Sequence, residues 1–197
     1  MGVERAEDFP YSILDTNSST VRLLRLQKIS DGSIIGWLEP FSLDDPKCPQ
    51  YNTLSYIWGE KKYSHVIDIN GHRFPILDRL YPILEVICDV EALNNDWWWI
   101  DSICIDQRPE AEAERNVQVR MMKRIYEKSS KTVGWLGQGT EDGEEGIEFL
   151  HIILKHYRRL KKEMRLEGKQ LGEELSDRQK WAALDRLLLR PWWSRVW

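Results

Sequence analysis

Three consecutive tryptophans open a nine-residue stretch, Trp97 to Ile105, in which Asp101 and Ser102 are the only polar residues. A run so apolar has no side to give to water. Its length and character suit a strand covered on both faces, as in a parallel sheet with helices above and below. The flanking segments supply such helices. Leu80 to Leu93 sets Leu80, Ile83, Leu84, Ile87 and Val90 at helical spacing. Pro109 and Glu110 open a second helix that runs to Lys128, with Val117, Met121 and Ile125 as its apolar stripe. Tyr51 to Trp58, stopped by Gly59, and Lys131 to Leu136, stopped by Gly137, read as strands. Strand, helix, strand, helix, strand in that order predicts a wound, parallel α/β sheet.

Elements on either side extend this core. Val21 to Gln27 and Ile34 to Glu39 flank Asp31-Gly32 and predict an N-terminal β-hairpin. A second hairpin is expected from Ser64 to Ile69 and Arg73 to Ile76 around Asn70-Gly71. Gln138 to Gly146 is an acidic, glycine-rich loop, and Ile147 to Leu166 a long helix. That helix turns basic at Arg158, Arg159, Lys161, Lys162 and Arg165, a run best read as a solvated face. Arg178 to Leu189 forms another helix, with Ser176 as a candidate N-cap. Pro191 then starts a last turn carrying Trp193, Val196 and Trp197 on one face. The whole reads as one domain, with an N-terminal extension over 1–50, an α/β core over 51–137 and a helical part over 138–197.

Composition narrows the function. The 197 residues carry a net charge of -4, which provides no field to hold a nucleic-acid backbone. No apolar run approaches the length of a membrane span, and Met1 to Tyr11 has no secretory h-region. The three cysteines share no CxxC spacing, so neither a disulfide framework nor a zinc site is expected, and a reducing, cytoplasmic setting fits. The four histidines lack metal-ligand spacing with an acid, and there is no P-loop, GxGxxG or GxSxG. No metal or resident cofactor is expected.

Three blocks give a more specific signal. The first is Tyr51-Asn52-Thr53-Leu54-Ser55-Tyr56-Ile57-Trp58-Gly59. The second runs from Trp99-Ile100-Asp101-Ser102-Ile103-Cys104-Ile105-Asp106-Gln107 through Glu114 to Val119, and on to Trp135-Leu136-Gly137. The third is Arg190-Pro191-Trp192-Trp193-Ser194-Arg195-Val196-Trp197. In order and spacing they resemble the motif blocks of the fungal HET (heterokaryon incompatibility) domain. That resemblance implies a cell-death signalling domain of fungal innate immunity. The HET domain is in turn similar to the TIR fold, a flavodoxin-like parallel sheet, and some TIR domains hydrolyse NAD while others only assemble. NAD is therefore an implied substrate, and self-association or docking of another signalling domain an implied mode of action. The family's third block continues into a Gln-Glu pair. By the TIR resemblance its catalytic glutamate is expected beyond Trp197.

The residues also carry readings of their own. As part of a strand, Asp101 would share a face with Trp99 and Ile103. A carboxylate there is either a site residue or a structural acid held by arginine or backbone amides. Asp106 and Gln107 are expected at that strand's carboxyl end, where open α/β sheets bind ligands. Arg115 and Gln118 share a helical face, so Asp106, Gln107, Arg115 and Gln118 are candidates for a polar crevice. The alternative is that Asp106 caps the helix and pairs with Arg115. Ser55, Tyr56 and Trp58 end the first strand on the same side, where an aromatic ring stacks on a nucleotide or joins the core. Arg195 is a candidate partner for Asp101, Asp106 or a phosphate.

Overall fold

A computed structural model describes residues 9–163 and 177–194 of the chain. It falls into two compact units, Met1–Trp135 and Leu136–Trp197. The first is built on a seven-stranded mixed sheet. Strand β1 (Thr20–Lys28) and β2 (Ile34–Ser42) form the expected N-terminal hairpin, in register from Thr20↔Ser42 to Lys28↔Ile34. Its turn is set by the Asp31 carboxylate, which accepts the Ser33 amide at 2.8 Å, and by Gly32 at φ 87°. Next come β3 (Tyr51–Ser55), β4 (Tyr63–Ile69) and β5 (His72–Leu77). β4 and β5 are the second hairpin, joined through Asn70 and Gly71 at φ 54° and 79°. Two consecutive positive φ values match the twist of the flanking strands, the reason Asn-Gly is favoured there. Helix α1 (Tyr81–Asp89), β6 (Trp97–Trp99), helix α2 (Asp101–Cys104), helix α3 (Glu112–Lys128) and β7 (Lys131–Gly134) complete the unit.

The sheet order is β5-β4-β2-β1-β6-β3-β7. The three core strands expected to be parallel do pair in parallel, but the sheet they belong to is mixed. Only β6, β3 and β7 form a continuous parallel block. β1 pairs antiparallel with both β2 and β6, and β2 is parallel to β4. The N-terminal hairpin is thus no appendage, because β1 is an interior strand. Val21, Leu23 and Leu24 are fully buried, so their burial fixes the hairpin within the sheet.

The long strand expected over 97–105 is also corrected. β6 ends at Trp99, Ile100 remains extended, and α2 begins at Asp101. The Asp101 carboxylate accepts the Ser102 amide at 2.8 Å, while Ile103 and Cys104 donate backbone N–H groups back to Ile100. Continuous apolarity marks burial, and burial alone does not distinguish a strand from a short covered helix. Trp98, Trp99, Ile100 and Cys104 are all fully buried across that change of backbone. α1 stops earlier than its apolar stripe suggests, since Val90 is extended and the residues after it form turns.

The second unit contains helices α4 (Glu141–Glu163) and α5 (Arg178–Leu188), followed by a 3-10 turn, Pro191–Ser194. Phe149, Leu184 and Leu187 form its small core. Asp177 caps α5 by accepting from the Gln179 and Lys180 amides. Ser176, the expected cap, lies outside the described residues, as do Arg165, Val196 and Trp197 and the side chains of Arg158, Arg159, Lys161 and Lys162. Among the described residues no helix is long and apolar enough to cross a membrane.

Candidate functional site

β3 and β6 lie side by side and parallel, with Thr53 opposite Trp99, so the segments leaving their carboxyl ends meet. Tyr56 follows β3 and is buried; its phenol oxygen lies 2.5 Å from Ser102 Oγ at the start of α2. Trp58, half-buried, donates its indole N–H to Asp101 Oδ1 at 2.9 Å. Gln107 donates its amide N–H to the backbone oxygens of Asp101 and Ile105 at 3.2 and 3.1 Å, and is itself exposed. Ser55 is buried beneath this group, and its carbonyl accepts the Trp135 amide at 2.8 Å. Five of the expected residues, Ser55, Tyr56, Trp58, Asp101 and Gln107, therefore gather at the carboxyl ends of two neighbouring parallel strands. Open α/β sheets place their ligands there.

Asp106 belongs to a separate cluster. It is 2% exposed, and both its carboxylate oxygens accept from Arg108, whose Nη2 reaches Oδ2 at 2.7 Å. The paired carboxylate holds the Arg108 guanidinium above its already high pKa. Arg108 and Arg22 both lie over the Tyr11 ring, at 5.5 and 4.8 Å. Arg22 is buried and forks onto Glu114 of α3 through two 2.7 Å bonds. It also donates to the backbone of Ser12 and Cys104. Tyr11 donates its hydroxyl to the Ile103 carbonyl at 3.0 Å. Burial, reinforced by the nearby Asp106 carboxylate, raises the Tyr11 phenol well above its ordinary pKa. A shallow cleft of about 280 Å³ opens here, bordered by Tyr11, Ser12, Asp106, Arg108, Glu110 and Glu114.

The remaining expected residues are dispersed. Arg115 donates to the Arg108 carbonyl at 3.1 Å, so the ion partner of Asp106 is Arg108. Gln118 is buried and donates to the Thr20 carbonyl at 2.8 Å, tying α3 to the start of β1; its Oε1 has no partner. Arg195 lies outside the described residues. Asp106, Gln107, Arg115 and Gln118 thus do not line one crevice.

Several residues at these clusters were not among the expected ones. Ser102 and Arg108 are the sequence neighbours of Asp101 and Asp106, and that adjacency was their only signal. Arg22 is one of three basic residues in the strand Thr20–Lys28, with Arg25 and Lys28, and nothing in its spacing points to Glu114.

Comparison with known proteins adds to this geometry. The family described as heterokaryon incompatibility protein (HET) matches residues 51–197. The chain is 33% identical over 127 residues to heterokaryon incompatibility protein 6, OR allele, of Neurospora crassa. That alignment covers 55% of this chain and 18% of the relative, so the chain corresponds to less than a fifth of that protein. No solved structure matches it significantly.

Proposed function

This chain belongs to the HET family, and from that premise we propose that it is a signalling domain of the fungal incompatibility response that triggers cell death through a small-ligand site. The observation behind the site is the juxtaposition of Tyr56, Trp58, Asp101 and Ser102 at the carboxyl ends of β3 and β6. An indole, a phenol, a hydroxyl and a carboxylate side by side offer a ring face for stacking and polar groups for orientation, the usual makeup of a ligand pocket. The TIR resemblance makes NAD the first ligand to try. In that reading a carboxylate near the ribose would stabilise the oxocarbenium-like charge that forms as nicotinamide leaves.

A second reading has its own support. The two buried carboxylates in these clusters are already engaged by the protein: Asp101 by the Trp58 indole and the Ser102 amide, Asp106 by Arg108. Such acids hold loops in place and need not react. The domain would then act by self-association or by docking another signalling domain, without turnover.

Nicotinamide release from NAD, followed chromatographically, separates the two. Turnover, by this chain or by a version extended through the family's Gln-Glu pair, that drops at least about 100-fold in Asp101→Asn supports the ligand site, a loss of the size expected when a reacting group is removed. No release from either version at concentrations that allow self-association favours the assembly reading. For signalling itself, induced expression in fungal hyphae should cause uptake of a vital dye. Hyphae that grow normally while accumulating the folded protein would overturn the proposal.

A further inference from the structure

Arg25 stands at the centre of a row that crosses three strands. The β1/β2 register places Trp37 opposite it, and the β1/β6 register places Trp97 opposite it on the other side. Residues directly opposed on neighbouring strands project from the same face. The guanidinium lies 5.3 Å from the Trp37 ring and 5.2 Å from the Trp97 ring, within cation–π range of both. Phe41 packs edge-on against Trp97 at 5.0 Å. All four side chains are half-buried.

Arg25 has no counter-ion among the described residues. Among the described residues its guanidinium forms no hydrogen bond and no ion pair, in contrast to Arg22 and Lys28 on the same strand. Glu39, on the same face of β2 beyond Trp37, does not pair with it either. Its nitrogens are not among the buried atoms left without a partner, so its N–H groups stay open to solvent. Both rings lie within reach of the guanidinium, while its charge is unmet among the described residues.

We propose that the Trp37–Arg25–Trp97 row docks an acidic segment of a protein partner. Arg25 takes a carboxylate in its fork, and the two indoles and Phe41 cover apolar side chains beside that carboxylate. A guanidinium already in contact with two rings suits bidentate recognition of a carboxylate, because less side-chain entropy remains to be lost. Trp and Arg are also the residues that carry most binding energy at protein interfaces. Three neighbouring strands give a flat surface roughly 10 Å across, which fits an extended peptide better than an enclosed small molecule. Arg25 and Trp37 precede residue 51, where the family match begins, and Trp97 lies within it.

The probe is a fluorescein-labelled peptide of alternating Glu and Leu, read by anisotropy against the full chain. Wild type should bind it, and Arg25→Gln should weaken binding by at least about tenfold, the loss typical of an interface anchor. Arg25→Lys should recover only part of that affinity, since it restores charge without the planar fork. Trp37→Leu should also weaken binding. Near-UV circular dichroism checks folding; if Arg25→Gln fails it, Arg25→Lys and Trp37→Leu carry the test. No binding by wild type, or equal binding by the folded variants, overturns the proposal. So does capture by phosphatidylserine vesicles, or competition by inorganic phosphate, with affinity equal to the peptide's.

Discussion

Trp58 donates its indole N–H to Asp101 at 2.9 Å, tying the segment that leaves β3 to the first turn after β6. The same carboxylate oxygen accepts the Ser102 amide, so one acid both starts α2 and orients the half-buried ring. Trp58→Phe keeps a ring but removes the donor to an acid only 8% exposed. It should cost about 1–3 kcal/mol, the range for leaving a buried group short of a partner. Asp101→Asn keeps the shape and should cost less. Urea titrations of the two variants check the order.

Arg22 and Glu114 form a buried fork of two 2.7 Å bonds between β1 and α3. Glu114→Gln removes the counter-charge of a guanidinium that is 1% exposed. A loss of about 3–5 kcal/mol is expected for an uncompensated buried charge. The paired change Arg22→Met with Glu114→Leu should recover much of it, because it removes both charges together. Thermal midpoints of wild type, single and double variants would show this, and a double variant no more stable than Glu114→Gln would count against it.

Alkaline stability follows from several buried acids. Burial pushes the Cys88 thiol up to about 11, the Cys104 thiol up to about 12 and the Tyr51 phenol up to about 12, and raises Tyr11 as well. The folded state therefore keeps these protons at pH values where the unfolded chain has released them. Above the ordinary thiol value of 9.0 the unfolded state binds fewer protons, so unfolding free energy must fall as pH rises toward 12. Below that window these groups are protonated in both states and contribute no slope. Urea midpoints should be level between roughly pH 7 and 8.5 and decline steadily above about 9.

Gly146 lies in α4 where a Cβ would meet the Ala183 carbonyl oxygen of α5 at 2.9 Å. Alanine is the better helix former by about 1 kcal/mol, yet here it must push two helices apart. Gly146→Ala should therefore destabilise the second unit by about 1–3 kcal/mol, as overpacking does. Gly143→Ala meets mainly the end of the Arg190 side chain, which can move, and should cost less. Limited proteolysis within residues 136–194 compares the two.

Much of the first unit was legible from pattern. Both hairpins were marked by Asp-Gly and Asn-Gly between β-rich runs, and the backbone there takes the positive φ values those glycines allow. α3 followed from its stripe, and buried Ile125 lies on it. Residues 97–105 fold otherwise than their pattern predicts, because an unbroken apolar run records only that water is excluded. The candidate site was partly visible for a related reason. Ser55, Tyr56, Trp58, Asp101 and Gln107 cluster because their blocks end adjacent strands. Gln118 went elsewhere because its partner is a carbonyl 98 positions away, at Thr20.

The sequence by itself determined the local vocabulary of this protein: which segments turn, which are apolar throughout, and which three blocks mark the family. Those are short-range properties, set by backbone sterics and by hydrophobic spacing within a few residues. Tertiary structure decided the rest. It threaded β1 between β2 and β6, gave Asp106 to Arg108 rather than Arg115, and set Arg25 between two indoles from different strands. Each of those depends on strand register, and register is chosen by the burial of whole faces at once.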